Sequence, residues 1–255
     1  MLTMRVTILG CGSSGGVPRI GNDWGACDPA NPKNRRRRCS ILVQQADTTV
    51  LVDTSPDMRE QLLDAGVSDL DGVVWTHDHA DQTHGLDDLR VVAIRHRRRI
   101  DVWGDAVTLK RLKAKFGYCF PEGAQGGYPA ILNDHLIDGP FTIGALDFRP
   151  FEQDHGTMTS LGFRIGPLAY ANDVVDLDDD AFEAMAGAEL MIVDALRYTP
   201  HPTHAHLDRA LEWIERVRPR RAVLTNLHVD LDYETLVGEL PAGVVPAYDG
   251  MEIEV

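Results

Sequence analysis

The segment Thr76-His77-Asp78-His79-Ala80-Asp81 carries three cation-binding side chains at alternate positions. Alternate side chains of an extended chain point the same way, so His77 and His79 converge and Asp81 follows on the turn. Two imidazoles and a carboxylate suit zinc, manganese or iron. The apolar run Val73-Val74-Trp75 reads as a buried strand that delivers this cluster to a loop. A lone histidine pair is more often structural. Three potential ligands at period two behind an apolar strand favour a divalent-metal centre.

The elements that must position such a cluster alternate along the chain. Strand patterns fall at residues 5–9, 41–45, 49–53, 72–76, 100–104, 146–151, 160–165, 168–172, 190–194, 222–226 and 251–255. Helical patterns fall at 56–65, 106–116, 179–186, 206–217 and 233–240. In the fourth of these, Leu207, Ala210, Leu211, Ile214 and Val217 repeat at helical spacing. The long irregular stretches 10–34 and 117–129 are rich in Gly and Pro, and such loops in a compact domain tend to be functional. Strands that pair locally and then alternate with helices predict an α/β fold of two sheets covered by helices. No composition break divides the chain, which reads as one domain over 1–255.

The chemistry-bearing motif, His-x-His-x-Asp, resembles the first metal motif of the metallo-β-lactamase superfamily. The loop Gly10-Cys11-Gly12-Ser13-Ser14-Gly15-Gly16-Val17-Pro18 narrows the likeness. So do the Arg38-Cys39-Ser40 step, the Gly85-Leu86…Leu89-Arg90 spacing and the terminal Asp249-Gly250-Met251-Glu252-Ile253. Together they are similar to the 5-phosphoribosyl 1,2-cyclic phosphate phosphodiesterase family of bacterial carbon–phosphorus lyase metabolism, over nearly the whole chain. The resemblance implies an αββα sandwich of two mixed sheets flanked by helices. It also implies that His155 is the third metal histidine and Asp173 a bridging aspartate. His204, in Pro200-His201-Pro202-Thr203-His204-Ala205-His206, aligns with the general-acid histidine, and His206 competes for that role. A homodimer is a further implication.

Two departures from the family pattern fall on one ion. Gln82 stands where the motif has a histidine after Asp81, and Asn226 stands where the family's fifth motif ends in Thr-His. His77, His79, His155 and Asp173 remain for a first ion, while a second keeps only Asp81 and the shared Asp173. One firmly bound zinc or manganese per chain is therefore expected. Gln82 and Asn226 offer weak oxygen ligands, and His84 or His228 substitutes that need rearrangement. Some family members hold an accessory zinc on cysteines of the 10–34 loop. Here only Cys27 is left, with Asn22 and Trp24 at the other positions, so that zinc is expected to be absent.

With one ion, Asp81 is free to orient or deprotonate a bound water, and a histidine is suited to protonate the leaving oxygen. Backbone N–H groups around Ser13 and Ser14 are candidates to meet an anion, though a tight turn is the default. Arg90, at the start of an amphipathic stretch, is a substrate-binding candidate as well as a partner for a buried carboxylate. The leading function is a metal-dependent hydrolase, a phosphodiesterase opening a small cyclic phosphate or nucleotide-like phosphodiester. A tRNA 3′-processing endonuclease is the second reading, weakened by the absence of an inserted basic arm. Nothing in the sequence points to an acyl substrate. A degenerate metal- or ligand-binding protein is the non-enzymatic alternative.

Bulk properties set the remaining limits. A net charge of −14 opposes general nucleic-acid binding and leaves a small phosphorylated substrate as the expected partner. The runs Arg35–Arg38 and Arg95–Arg99 read as solvated surface or as a basic rim that draws an anion in. No apolar run approaches the roughly 18 residues that span a bilayer, and no leader pattern precedes the first strand. Four unpaired cysteines fit a reducing cytoplasm.

Overall fold

The computed structural model describes residues 3–124 and 129–255, so part of the 117–129 loop lies outside the described residues. The first sheet contains β1 (Met4–Gly10), β2 (Ser40–Gln45), β3 (Thr48–Val52), β4 (Gly72–Val74), β5 (Ile100–Gly104), β6 (Leu132–Leu136) and β14 (Met251–Glu254). The second contains β7 (Phe141–Ile143), β8 (Leu146–Asp154), β9 (Thr159–Ile165), β10 (Leu168–Ala171), β11 (Leu190–Asp194), β12 (Arg221–Thr225) and β13 (Val244–Pro246). Their orders are β14-β1-β2-β3-β4-β5-β6 and β13-β12-β11-β10-β9-β8-β7. Each sheet is mixed. In the first, β3 to β6 run parallel, and in the second β10 to β13 do.

Period-two alternation decides which face each residue covers. On β2, Ile41 and Val43 enter the core between the sheets while Leu42 joins the outer layer, and β3 repeats this with Val50, Val52 and Leu51. Opposite them lie Phe148, Phe163, Tyr170, Ile192 and Val223 of the second sheet. The outer face of the first sheet is covered by α1 (Met58–Asp64), α3 (Leu89–His96) and α4 (Ala106–Phe116), through Leu62, Leu89 and Leu112. The outer face of the second is covered by α5 (Asp179–Met185), α6 (Leu207–Val217) and α7 (Tyr233–Glu239), through Phe182, Trp213 and Leu236. These layers form the αββα sandwich. The short helix α2 (Ala80–Thr83) lies directly behind the histidine motif.

Three strands, β6, β7 and β13, escape the sequence patterns. β6 reads Leu-Asn-Asp-His-Leu, a polar edge strand without the alternation that marks a half-buried one, and the other two are three residues long. The strand expected at 146–151 continues to Asp154, and that extension delivers His155 to the rim.

Of the two arginine runs, Arg95–Arg99 is the solvated surface expected of it, while Arg35–Arg38 departs from that reading. Arg97, Arg98 and Arg99 precede the first residue of β5, at the end of the sheet opposite the histidine motif, so they form no rim around it. Arg36 is not solvated but 2% exposed, donating to the carbonyls of His228 and Leu231. Arg37 pairs with Asp64 and Asp249, and Arg38 with Asp57.

Candidate metal centre

β3 and β4 end side by side, and their ends orient the first histidine. Asp53, just past β3, accepts from Thr76 N at 2.8 Å and from Thr76 Oγ1 at 2.9 Å. With its proton committed to Asp53, Thr76 Oγ1 is left to accept from His77 Nδ1 at 3.0 Å. His77 Nε2 is then a lone-pair donor. It is buried and has no hydrogen-bond partner among the described residues. His155 is set in the same way, its Nδ1 donating to the Thr203 carbonyl at 2.7 Å. Its Nε2 lies 3.3 Å from His79 Nδ1.

The ring nitrogens of His77, His79 and His155 fall within 4.8 Å of one another. Burial, reinforced by the neighbouring imidazoles, pulls His77 well below the usual histidine range. Burial and the nearby His204 bring His155 to about 4. Both rings are thus neutral near pH 7, the state a metal ligand needs. An orphaned buried nitrogen, two rings held by outer hydrogen bonds and three converging imidazoles fit a divalent ion.

Asp173 follows β10 with φ +55 and is 2% exposed. It joins the cluster through His155: the ligand atoms of His155, Asp173 and His204 also lie within 4.8 Å of one another. Burial pushes its carboxyl well up, the His204 charge pulls it back, and the Asp81 and Asp194 charges raise it further. A nearby cation would relieve that penalty. Amide donors already surround it. Gln82 Nε2 and Asn172 Nδ2 each reach Oδ2 at 2.8 Å, and Asn226 Nδ2 stands 3.5 Å from Oδ1. Gln82 Nε2 also lies 3.4 Å from Asp81 Oδ2. The two residues that depart from the family pattern therefore turn N–H groups, not oxygens, toward the shared carboxylate.

His204 Nδ1 lies 2.8 Å from Asp194 Oδ2, and Asn226 Nδ2 is 3.1 Å from Asp194 Oδ1. Asp194 ends β11, has no exposed surface, and also accepts from Val174 N at 3.1 Å. Burial lowers the affinity of His204 for its proton, but the Asp194 charge and hydrogen bond outweigh it and hold the ring at about 9. Sequence reasoning missed Asp194, Asp53 and Asn172. Their one available signal was a polar residue at the end of an apolar strand.

The other expected residues are placed less centrally. His206 is the N-cap of α6 without a side-chain cap bond. His84 turns edge-on to Phe116, and His228 faces Asp230; neither enters a ligand cluster among the described residues. Arg90 binds Asp87 at 3.0 Å and faces the Tyr118 ring. Ser13 N is used by the Leu227 carbonyl and Gly12 N by the Arg37 carbonyl, so the glycine loop is a turn that spends much of its N–H capacity internally. In the accessory loop, Cys27 Sγ meets the Val229 and Leu231 carbonyls, and Arg36 spans the same segment.

A family model described as the beta-lactamase superfamily domain matches residues 48–226. A crystal structure of a new diphosphatase from the PhnP family shares 34% identity at a TM-score of 0.93, covering 100% of this chain and 98% of that one. Zinc-bound PqqB from Methylobacterium extorquens has a TM-score of 0.75 at 17% identity, covering 98% of this chain and 100% of that one. The short form of human tRNase Z has 0.68 at 17%, covering 98% of each chain. These last two show the fold alone. An octanoyltransferase from Porphyromonas gingivalis is 33% identical over 254 residues, 98% of this chain but 51% of that protein. The chain thus spans about half the length of the curated relative it matches. With its family model covering most of the sandwich and its histidine cluster in place, the chain belongs to the beta-lactamase superfamily, as a metal-dependent hydrolase of the PhnP family.

Proposed function

We propose that this hydrolase cleaves a phosphorus–oxygen bond in a small phosphodiester or diphosphate, using one firmly bound divalent ion. The observation that carries the reading is the His204–Asp194 pair at 2.8 Å, set beside the three-histidine cluster. The PhnP-family diphosphatase adds the diphosphate to the expected phosphodiester as a substrate class. His77, His79, His155 and Asp173 would hold the ion, zinc or manganese. When bound, it supplies Lewis acidity toward water and toward a phosphoryl oxygen.

The chain's own groups supply the proton transfers. Asp81 accepts a proton from the attacking water as the new oxygen–phosphorus bond forms. His204, held protonated by Asp194, gives its proton to the leaving oxygen as the old bond breaks. Asp194 fixes which nitrogen of His204 faces its carboxylate and leaves Nε2 to meet the substrate. Turning the amide N–H groups of Gln82 and Asn226 toward Asp173 supports a single ion, because a cation and an N–H donor compete for the same lone pairs.

No helix of the described residues is long and apolar enough to cross a membrane. Four buried, unpaired cysteines support a cytoplasmic setting, and the family resemblance supports a homodimer. The deciding experiment measures turnover of bis(p-nitrophenyl) phosphate and of a disubstituted diphosphate, with zinc or manganese added. Hydrolysis that disappears in Asp81→Ala is expected. Equal rates in wild type and Asp81→Ala under every metal would leave the non-catalytic binding protein as the answer.

A further inference from the structure

The arginines at 97–99 lie at the far end of the first sheet, but α4 brings two other cations to the histidine motif. Arg111 and Lys115 are four residues apart and share one helix face. Both turn to Asp78, the residue between the ligands His77 and His79. Arg111 Nη1 donates to Asp78 Oδ1 at 2.7 Å, and Lys115 Nζ donates to Oδ2 at 3.1 Å. Lys115 Nζ also donates to the Asp78 carbonyl at 3.0 Å. That carbonyl belongs to the peptide bond into His79, so peptide geometry keeps the ammonium within about 6 Å of the His79 Cα. Phe116, the next residue of α4, meets the edge of His84. The end of α4 therefore borders α2, whose N-cap is His79 and whose first turn carries Asp81.

Two cations on one carboxylate leave a net positive charge. The Asp78 side chain is 7% exposed, against 51% for Arg111 and 40% for Lys115. The carboxylate is thus covered, while its partners keep N–H groups for the solvent side: a guanidinium has five and an ammonium three. The metal centre itself is rich in the opposite charge. Asp53, Asp81 and Asp194 all stand close enough for their charges to act on Asp173. An anionic substrate therefore gains from cations at the rim. We propose that Arg111 and Lys115 bind the second phosphoryl group of a diphosphate substrate while the first reacts at the metal centre. This inference rests on the hydrolytic reading above and narrows it from phosphodiester or diphosphate to diphosphate. The pair stands beside the ligands and not among them, so what it holds is displaced from the reacting phosphorus. A second phosphoryl group is displaced in that way and carries the charge to match. The flexible stem of Lys115 lets its ammonium follow the ligand while the fork of Arg111 stays on Asp78.

The test uses Lys115→Met, which keeps an apolar stem, removes the charge and leaves Arg111 to pair with Asp78. Lys115→Arg restores the charge, and Arg111→Met is the further variant should the first not fold. Three readouts are taken: steady-state kinetics on bis(p-nitrophenyl) diphosphate and on bis(p-nitrophenyl) phosphate, metal per chain after gel filtration, and melting temperature. With wild-type metal content, kcat/KM for the diphosphate should fall by about 10-fold, the size of one lost charge-assisted hydrogen bond, and for the singly charged ester by less than about 3-fold. Lys115→Arg should recover most of the loss, and added salt should weaken the wild-type preference for the diphosphate. Equal falls on both substrates, or no fall on the diphosphate, overturn the proposal. Loss of metal in step with activity also overturns it, by making the pair a brace of the metal loop. A wild type that cleaves only bis(p-nitrophenyl) phosphate rejects the diphosphate and leaves the hydrolytic reading standing. A wild type that turns over neither substrate under any metal overturns the hydrolytic reading and this role with it.

Discussion

Asp194 Oδ2 stands 2.8 Å from His204 Nδ1, and the aspartate has no solvent-exposed surface. The two residues come from different elements. Asp194 is the last residue of β11, and His204 lies in the loop that leads to α6. A buried carboxylate in that position keeps the imidazole charged and fixes its ring, the two properties a proton donor needs.

If His204 is the acid, the damage done by His204→Ala depends on the leaving group. For an ester with an alkyl alcohol leaving group, kcat should fall by roughly 100-fold or more. For p-nitrophenolate, which departs without help, it should fall much less. Asp194→Asn should follow the same selectivity more weakly. A uniform loss across both ester types would remove His204 from the acid role.

The Asp53–Thr76–His77 chain predicts a graded loss of metal. His77→Ala should abolish firm binding, because Nε2 is the buried nitrogen at the cluster's centre. Thr76→Val removes the acceptor for His77 Nδ1 and should weaken metal affinity by about 10- to 100-fold, as outer-shell changes commonly do. Competition with a chelator, followed by elemental analysis, measures both. Full metal retention by His77→Ala would displace the assignment.

Stoichiometry follows from the amides on Asp173. Elemental analysis after gel filtration should give about one firmly held ion per chain. The double variant Gln82→His with Asn226→His replaces both N–H donors with imidazoles and should raise the value to about two. A wild-type value near two would show that the amides yield to a second cation.

Asp232 should govern part of the acid stability. Its Oδ2 accepts from Asn34 Nδ2 and Asp28 N, and its Oδ1 caps α7 by accepting from Thr235 N. Burial alone would raise its pKa, but these donors hold it at about 2, from an ordinary value of 3.8. A depressed folded-state value means the stabilisation is complete above about pH 4 and fades as pH falls toward 2. Asp232→Asn should therefore unfold at lower denaturant than wild type at pH 7, with the gap closing below pH 4. A gap independent of pH would point to packing instead.

Much of the sandwich was legible because apolar alternation states which face of a strand is buried, as Ile41, Leu42 and Val43 do. The edge strand at Leu132–Leu136 was not, because a strand paired on one side needs little apolar content. His77, His79 and Asp81 announced themselves by spacing. Asp194 did not, since its partner comes from a loop whose path depends on the parallel pairing of β11 with β12. Arg36 was hidden differently. A run of four arginines reads as solvated, and nothing in the run marks the one that lies inside, holding the carbonyls of His228 and Leu231.

Asp53 and Asn226 directly follow the last residue of a strand, Asp173 lies two residues past the end of one, and each has positive φ, at 66, 62 and 55 respectively. Outside glycine, that backbone region admits Asn, Asp and His far more readily than other residues, and β-branched side chains are essentially shut out. The conformation therefore restricts the alphabet before any chemistry is asked of it. At position 226 the permitted letters include histidine, a strong metal ligand, and asparagine, a hydrogen-bond donor. A single exchange between them leaves the chain trace intact while changing what the rim can hold. The same tolerance makes such strand ends natural points for one scaffold to diverge in metal count without rebuilding its core.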